Sequence, residues 1–254
     1  MPEKTLTYSV QRDDAGTVAT VTLERAQCLD AAGKRELTDL FTRMGDDETV
    51  RVVILTGGHP EALLVDVAEL AHMTATAALA YSRAGQKLMS VLEALPVPVI
   101  AAVSGPALGG GCELVLGCDL AVCSTEATFG QIEANGGVVP AFGGTWRLAR
   151  RVGYQRAGQL IFTAGIVSAD LARDYGLVLE VHSQDDLMPR CLELAAQIAS
   201  TSRASIAEAK RILTGSWGRG PAMANVMEQA SFAGLFGTED QQRRMDAFLA
   251  EHRS

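Results

Sequence analysis

Positive charge is scarce in this 254-residue chain, in which 22 Lys and Arg are outnumbered by 30 Asp and Glu and the formal net charge is −8. Proteins that bind nucleic acid present a basic surface to the phosphates, so this balance argues against that class. A small anionic ligand remains compatible with it, because such a ligand needs only a local basic patch.

Long apolar runs are also missing. The longest apolar stretch, from Leu95 to Val103, is interrupted by two prolines and is far shorter than the roughly 20 residues that a membrane helix needs. The first residues, MPEKT, do not begin an apolar signal core. These features predict a soluble, cytoplasmic protein, and 48% hydrophobic residues predict a globular one with a large core.

Cysteine and histidine are few and lack the spacing of metal ligands. The five cysteines are an odd number without a Cys-x-x-Cys pair, and the four histidines are scattered. We therefore expect buried, reduced thiols in a reducing compartment and no metal site. The cysteines are Cys28, Cys112, Cys118, Cys123 and Cys191.

Apolar patterns predict an α/β fold for the first half of the chain. Alternating residues from Val18 to Leu23 indicate a strand, and a helical pattern from Ala31 to Gly45 begins after Asp30, a good N-cap. Continuous apolar runs are typical of strands buried on both faces. Those runs are Val52–Thr56, Val99–Val103 and Leu120–Cys123. Strands that alternate with helices indicate right-handed crossovers.

The last third of the chain is predicted to be mostly helical. We divide the chain into an α/β core, residues 1–195, and a C-terminal helical region, residues 196–254. The helical patterns span Leu187–Ser200, Arg203–Leu213, Pro221–Phe236 and Glu239–Glu251.

A glycine triplet and two glutamates are the most informative features of the sequence. The segment SGPALGGGCE ends at Glu113, and FGQIE ends 20 residues later at Glu133. The triplet should open a helix whose unpaired N–H groups face an approaching substrate. Two carboxylates beside it would form a general acid/base pair. Taken singly, the triplet is compatible with tight packing, Glu113 with a helix-terminal charge and Glu133 with a surface turn.

These segments resemble the signature of the enoyl-CoA hydratase/isomerase (crotonase) superfamily. The resemblance implies a crotonase-type spiral of strand-strand-helix units with a C-terminal helical trimerisation region. It also implies a hydratase-type lyase that adds water to a 2-enoyl thioester through an enolate stabilised by an oxyanion hole. The matching residues are IAAVSGPALGGGCEL from Ile100, CDL from Cys118, ATFGQIE from Ala127 and VPAFGGTWRL from Val139.

The same resemblance assigns roles to individual residues. It makes Glu113 and Glu133 the catalytic pair and gives the oxyanion hole the backbone N–H groups of Val65 and Gly110. The implied substrate is an acyl-CoA or carrier-bound thioester, with no further cofactor, and the expected assembly is a homotrimer or a dimer of trimers acting in fatty acid metabolism. Tentative substrate or CoA contacts are Arg25, Ala26, Cys28, Leu63, Leu64, Asp66, Gly109 and Phe248.

The segment before Asp66 departs from the family pattern. The family usually has a stretch similar to Ala-Gly-Ala-Asp-Leu, whereas this chain has Leu63-Leu64-Val65-Asp66. Bulk at these positions predicts weaker CoA binding. Two alternatives stay open: double-bond isomerisation or other enolate chemistry, and a member that has lost CoA binding and acts as a binding subunit or on a non-CoA carbonyl compound. Which glutamate is the acid is also open.

Overall fold

The computed structural model describes residues 8–23, 30–57 and 70–251. Nine strands lie within these ranges. They are β1 (Tyr8–Arg12), β2 (Val18–Leu23), β3 (Val52–Gly57), β4 (Val99–Val103), β5 (Ala107–Leu108), β6 (Leu120–Ser124), β7 (Thr128–Gly130), β8 (Ile166–Ser168) and β9 (Glu180–His182).

Ten α-helices and one 3-10 helix lie in the same part of the chain. The α-helices are α1 (Ala31–Asp46), α2 (Ala75–Ala94), α3 (Gly110–Gly117), α4 (Gly144–Val152), α5 (Tyr154–Thr163), α6 (Ala169–Tyr175), α7 (Gln184–Ala199), α8 (Arg203–Gly215), α9 (Pro221–Leu235) and α10 (Glu239–Glu251). The 3-10 helix spans Glu133–Gly136.

The central sheet has the strand order β1-β2-β3-β4-β6-β9. Its first pair is antiparallel and the other four are parallel. Each parallel neighbour requires a crossover, and helices supply them. The predicted α/β class is thus confirmed, whereas the right-handedness of the crossovers stays a prediction.

Alternate residues of the central strands pack into two apolar layers. In β3, Val53 and Leu55 belong to the layer that includes Leu37 of α1 and Leu88 of α2. Val52 and Ile54 face the other way and pack with Leu187, Cys191 and Ala195 of α7. This burial on both faces is what the continuous apolar run of β3 predicted.

Helix starts follow the local chemistry of the sequence. Asp30 caps α1 as predicted, since its side chain accepts a hydrogen bond from the Gly33 N–H. Thr74 caps α2 in the same way, so residues 75–80 are the first turns of a 20-residue helix. The predicted strands and C-terminal helices are confirmed to within a few residues at their ends.

A buried lysine fixes the C-terminal helices to the core. Lys210 of α8 donates to the carbonyls of Leu92 and Val97, each at 3.0 Å, and to Asp119 Oδ2 at 2.6 Å. Asp119 Oδ2 also accepts from the Val99 N–H at 2.8 Å. The pair therefore connects α8 to the turn between α2 and β4 and to the start of β6.

The C-terminal helices leave several large apolar side chains exposed. Examples are Leu213, Phe232, Phe236 and Leu249. Burial of such residues against a neighbouring subunit stays a prediction, as does the division at residue 195. No helix among the described residues has the length and apolar character needed to cross a membrane.

A smaller sheet brings the two glutamate-bearing segments together. Its strand order is β5-β7-β8, and β5 pairs in parallel with β7 so that Ala107 lies opposite Phe129 and Leu108 opposite Gly130. The chain passes from β5 into α3, which carries Glu113, and from β7 towards the 3-10 helix, which begins with Glu133. The pairing of these two short strands is therefore what positions the site.

Candidate active site

The first glycine of the triplet makes the sharp turn from β5 into α3. Gly109 is the N-cap of α3 and has φ = +52°, a conformation that favours glycine. Its N–H donates to the Gly130 carbonyl at 2.8 Å. A Cβ at Gly109 would lie 3.0 Å from Glu133 Oε1, so the backbone of the triplet comes close to the second glutamate. Gly110 follows as the first helical residue, whose N–H has no acceptor within the helix.

Glu113 points into the interior, where the backbone holds its carboxylate. The residue is 1% exposed. Its Oε1 accepts hydrogen bonds from the N–H groups of Phe142 and Gly144, both at 2.7 Å. Gly144 is the first residue of α4, so the carboxylate also lies at the positive end of a helix dipole.

Opposing effects set the proton affinity of Glu113. Burial is the largest effect and raises its pKa, and the nearby Glu133 carboxylate raises it further, whereas the N–H groups of Gly144 and Phe142 and the charge of Arg147 lower it. Burial prevails and raises the pKa of Glu113 from 4.5 to about 7. A carboxyl group with this pKa can give or take a proton near neutral pH.

Glu133 begins the 3-10 helix and is half-buried. Burial raises its pKa as well. Both of its carboxylate oxygens lie 3.2 Å from the amide of Gln131, whose nitrogen the hydrogen-bond network assigns to that side. The Glu133 carboxylate therefore accepts hydrogen bonds from Gln131 and lies near Glu113, so Glu133 is not a freely exposed residue of a turn.

A second glycine lets the backbone approach the side chains of Glu113 and Gln131 closely. A Cβ at Gly144 would lie 2.8 Å from Glu113 Oε1 and 2.9 Å from the side-chain amide of Gln131. The backbone can therefore approach Glu113 this closely only because residue 144 lacks a side chain. Glu113, Gln131 and Glu133 form one polar cluster, although the catalytic roles of the two glutamates stay predictions.

Arg147 is a part of the site that the sequence did not identify. Its guanidinium is buried and donates through Nη1 to the Phe142 carbonyl at 2.7 Å. It also contacts Glu93 through Nε at 3.1 Å and Nη2 at 2.7 Å. Arg147 and Gln131 both lie in the recognised motifs, but an arginine or glutamine in a motif does not by itself indicate what it contacts.

A cavity of about 50 Å³ lies against α3. Its walls are the ends of β3 and β4, the turn 104–106 that follows β4, and residues of α3. They include Thr56, Gly57, Val103, Ser104, Gly111 and Leu114. The cavity thus touches the glycine triplet and is lined mainly by apolar and small residues.

Several residues assigned by resemblance lie outside the described ranges. They are Arg25, Ala26, Cys28, Leu63, Leu64, Val65 and Asp66. Phe248 is described and lies on α10 with its side chain 55% exposed, so it is not buried in the polar cluster. Of the two tentative contacts that the structure describes, Gly109 lies beside a catalytic candidate, Glu133.

Thiol and metal chemistry find no support among the described residues. Within them, no group of three or more His, Cys, Asp or Glu is arranged to hold a metal ion. The four described cysteines are buried and free, as expected for structural thiols. Cys112 precedes Glu113, but burial raises the pKa of its thiol to about 12, which leaves little thiolate for nucleophilic attack.

Known proteins match nearly the whole chain. The family model for enoyl-CoA hydratase/isomerase matches residues 13–254. The chain is 35% identical over 242 residues to a crotonyl-CoA hydratase of Syntrophomonas wolfei, with 93% of each chain covered. It is 37% identical over 243 residues to a short-chain-enoyl-CoA hydratase of Clostridium acetobutylicum, with 94% of this chain and 93% of that one covered.

The fold also matches solved structures over nearly the whole chain. An enoyl-CoA hydratase from Bacillus anthracis aligns with a TM-score of 0.91 and 32% identity over 96% of both chains. One from Mycobacterium smegmatis aligns with a TM-score of 0.90 and 28% identity over 97% of both. The crotonase-type fold predicted from the glycine and glutamate motifs is confirmed.

Proposed function

Because this chain belongs to the enoyl-CoA hydratase/isomerase family, we propose that it is a hydro-lyase that adds water across the double bond of a 2-enoyl-CoA thioester. The observation that carries the proposal is the buried Glu113, whose pKa of about 7 lies near neutral pH, beside a second carboxylate. The names of its relatives, a crotonyl-CoA hydratase and a short-chain-enoyl-CoA hydratase, favour a short acyl group.

The reaction needs a stabilised enolate. Water adds its oxygen to the β-carbon, the double-bond electrons move onto the thioester oxygen, and a proton then reaches the α-carbon. In the proposed site the Gly110 N–H, at the start of α3, donates to the thioester oxygen. The family resemblance assigns the second hydrogen bond to the N–H of Val65, which lies outside the described residues. Loss of one such donor costs about 3 kcal/mol in comparable sites.

Two carboxyl groups suit the two proton transfers. One must take a proton from water while the other delivers a proton to the α-carbon, so near neutral pH the pair should share one proton. The two N–H donors on Glu113 Oε1 stabilise its ionised form. Burial opposes this and raises the pKa of Glu113 to about 7, so we propose that the two glutamates divide the two proton transfers between them.

The requirement for two groups separates hydration from isomerisation. Moving a double bond needs one group that carries a proton from one carbon to another, whereas hydration needs water activation and carbon protonation together. The electrostatic interaction of Glu113 with Glu133 favours hydration. A family member that had lost its chemistry would have no need of this pair.

Two measurements on the purified protein test this function. Crotonyl-CoA should be hydrated, and a 3-enoyl-CoA should be isomerised much more slowly. A thermal-shift panel should give stabilisation by acyl-CoA esters but not by free acids or diketones. Absence of hydration together with stabilisation by a diketone would favour the member that acts on a non-CoA carbonyl compound. Rapid isomerisation without hydration would favour the isomerase.

Assembly and context complete the proposal. We propose a homotrimer or a dimer of trimers in the cytoplasm, acting in fatty acid metabolism, with the apolar residues of α8 to α10 at subunit contacts. The exposed Leu213, Phe232 and Leu249 support such contacts. Sedimentation at micromolar concentration should give a trimer or hexamer, and a stable monomer would contradict the assembly.

A further inference from the structure

The guanidinium of Arg147 is linked to the carboxylate of Glu113 through one residue, Phe142. Arg147 Nη1 donates to the Phe142 carbonyl at 2.7 Å, and the Phe142 N–H donates to Glu113 Oε1 at 2.7 Å. Two hydrogen bonds on opposite sides of Phe142 thus fix its backbone. Helix α4 begins two residues later at Gly144, and the Gly144 N–H is the second donor to Glu113 Oε1.

We propose that Arg147, clamped by Glu93, is a positioning residue that holds the 142–144 segment against Glu113 and thereby sets the protonation equilibrium of this carboxyl group. Arg147 is not expected to touch the substrate. The kinetic part of the proposal rests on the proposed hydratase function, whereas the protonation of Glu113 can be measured without it.

The ion pair between Glu93 of α2 and Arg147 of α4 holds the guanidinium in a fixed orientation. Glu93 accepts from Nε and from Nη2 of Arg147, at 3.1 and 2.7 Å, which is the two-pronged geometry that orients a guanidinium. The Arg147 side chain is 4% exposed and that of Glu93 is 20% exposed. The Trp146 ring, with its centroid 4.1 Å from the guanidinium carbon, covers the group further.

The backbone of the segment is shaped around this guanidinium. Gly143 has φ = +97°, and a Cβ there would lie 2.1 Å from Arg147 Nη1 and 2.8 Å from Trp146 Nε1. Any side chain at this position would displace the arginine from the Phe142 carbonyl. A glycine is therefore required both for the turn into α4 and for the approach of the cation.

Several charged or titratable groups face Glu113 or its supporting segment. Glu133 of the 3-10 helix raises its pKa and Arg147 lowers it. The others are the Cys112 thiol of α3, Lys34 of α1, whose ammonium is 4.9 Å from the Phe142 ring centroid, and Tyr81 of α2, whose ring is 5.2 Å from that of Phe142. Removing Arg147 deletes a stabilising cation and loosens two N–H donors. Both changes favour the protonated form of Glu113.

Arg150 offers a matched control on the same helix. It lies one turn beyond Arg147, with Nη1 at 3.8 Å from the same Glu93. Its Nη2 donates to the Leu213 carbonyl at 3.0 Å, not to the Phe142 carbonyl. Arg150→Gln removes the same charge from the same helix and ion cluster without touching the 142–144 segment.

The test compares Arg147→Gln, Arg147→Lys and Arg150→Gln with the parent. For Arg147→Gln, kcat for crotonyl-CoA should fall about tenfold or more, KM should change little, and the limb of the kcat/KM profile that reports Glu113 should move upward by roughly half a unit or more. Arg147→Lys should restore part of the shift because it returns the charge without the two-pronged contact. Arg150→Gln should behave as the parent.

A spectroscopic titration keeps the test independent of turnover. Infrared difference spectra against Glu113→Gln isolate the carboxyl stretch of Glu113, whose midpoint should rise in Arg147→Gln. If Arg147→Gln does not fold, Arg147→Lys carries the test, because it keeps the charge but loses the two-pronged contact with Glu93, and its midpoint should lie above that of the parent. An unchanged midpoint in a folded Arg147→Gln, or an equal shift in Arg150→Gln, would overturn the proposal. If the midpoint rises in Arg147→Gln but the parent does not hydrate crotonyl-CoA, the hydratase function alone is refuted.

Discussion

The raised pKa of Glu113 predicts that its removal stabilises the fold in a pH-dependent way. Between about pH 4.5 and pH 7 the native carboxyl group keeps a proton that the unfolded chain has released. Stability therefore falls as pH rises through this window, and above it the parent carries the full cost of a buried carboxylate. Glu113→Gln is neutral at every pH and retains an oxygen for the N–H groups of Phe142 and Gly144.

The size of the effect follows from the shift itself. A rise from 4.5 to about 7 corresponds to about 3 kcal/mol at about 1.4 kcal/mol per unit. Only part of this cost has developed at about pH 5, so the stability gained by Glu113→Gln should be about 2 to 3 kcal/mol larger at pH 8 than at pH 5. Glu113→Gln should therefore lose activity while it gains stability, as is common when a buried charge is removed from an active site.

Urea denaturation of parent and variant at both pH values gives this difference directly. Glu126→Gln, in an exposed turn, is the control for the general effect of removing a carboxylate. The same stability difference at pH 5 and pH 8, or a variant less stable than the parent at pH 8, would refute the reasoning about burial.

Three further experiments have expected outcomes. Gly144→Ala places a Cβ 2.8 Å from Glu113 Oε1, so hydration should fall by about 10²-fold with little change in circular dichroism; near-parental turnover would contradict the packing. Lys210→Met leaves Asp119 partly buried without its cation and should cost about 3 kcal/mol in urea unfolding, mostly recovered by adding Asp119→Asn; no cost would mean that the pair is not stabilising. Leu64→Gly with Val65→Ala should tighten CoA-ester binding in calorimetry, and unchanged affinity would exclude side-chain bulk as the obstacle.

Much of the fold could be predicted because its signals are local. The continuous apolar run of β3 and the Asp30 cap of α1 each specify an element from a few adjacent residues. The glycine triplet correctly predicted the start of α3 because its conformational requirement is visible in the residue type. Glu113 and Glu133 could be named from the motifs that carry them.

The contacts that tune the site depend on distant parts of the chain. Glu113 meets the N–H groups of residues 142 and 144, and Arg147 meets Glu93, 54 positions away. No periodicity or motif encodes such a pairing, since it arises when α2, α3 and α4 pack together. Burial, which dominates the pKa of Glu113, is likewise a property of the folded chain.

The rate of crotonyl-CoA hydration in the parent, Glu113→Gln, Glu133→Gln and the double variant tests the central claim most directly. Each single variant should lose about 10²-fold or more in kcat. The double variant should lose far less than the product of the two, because the residues act as a unit. Turnover near that of the parent in either folded single variant would contradict the account of a shared acid/base pair.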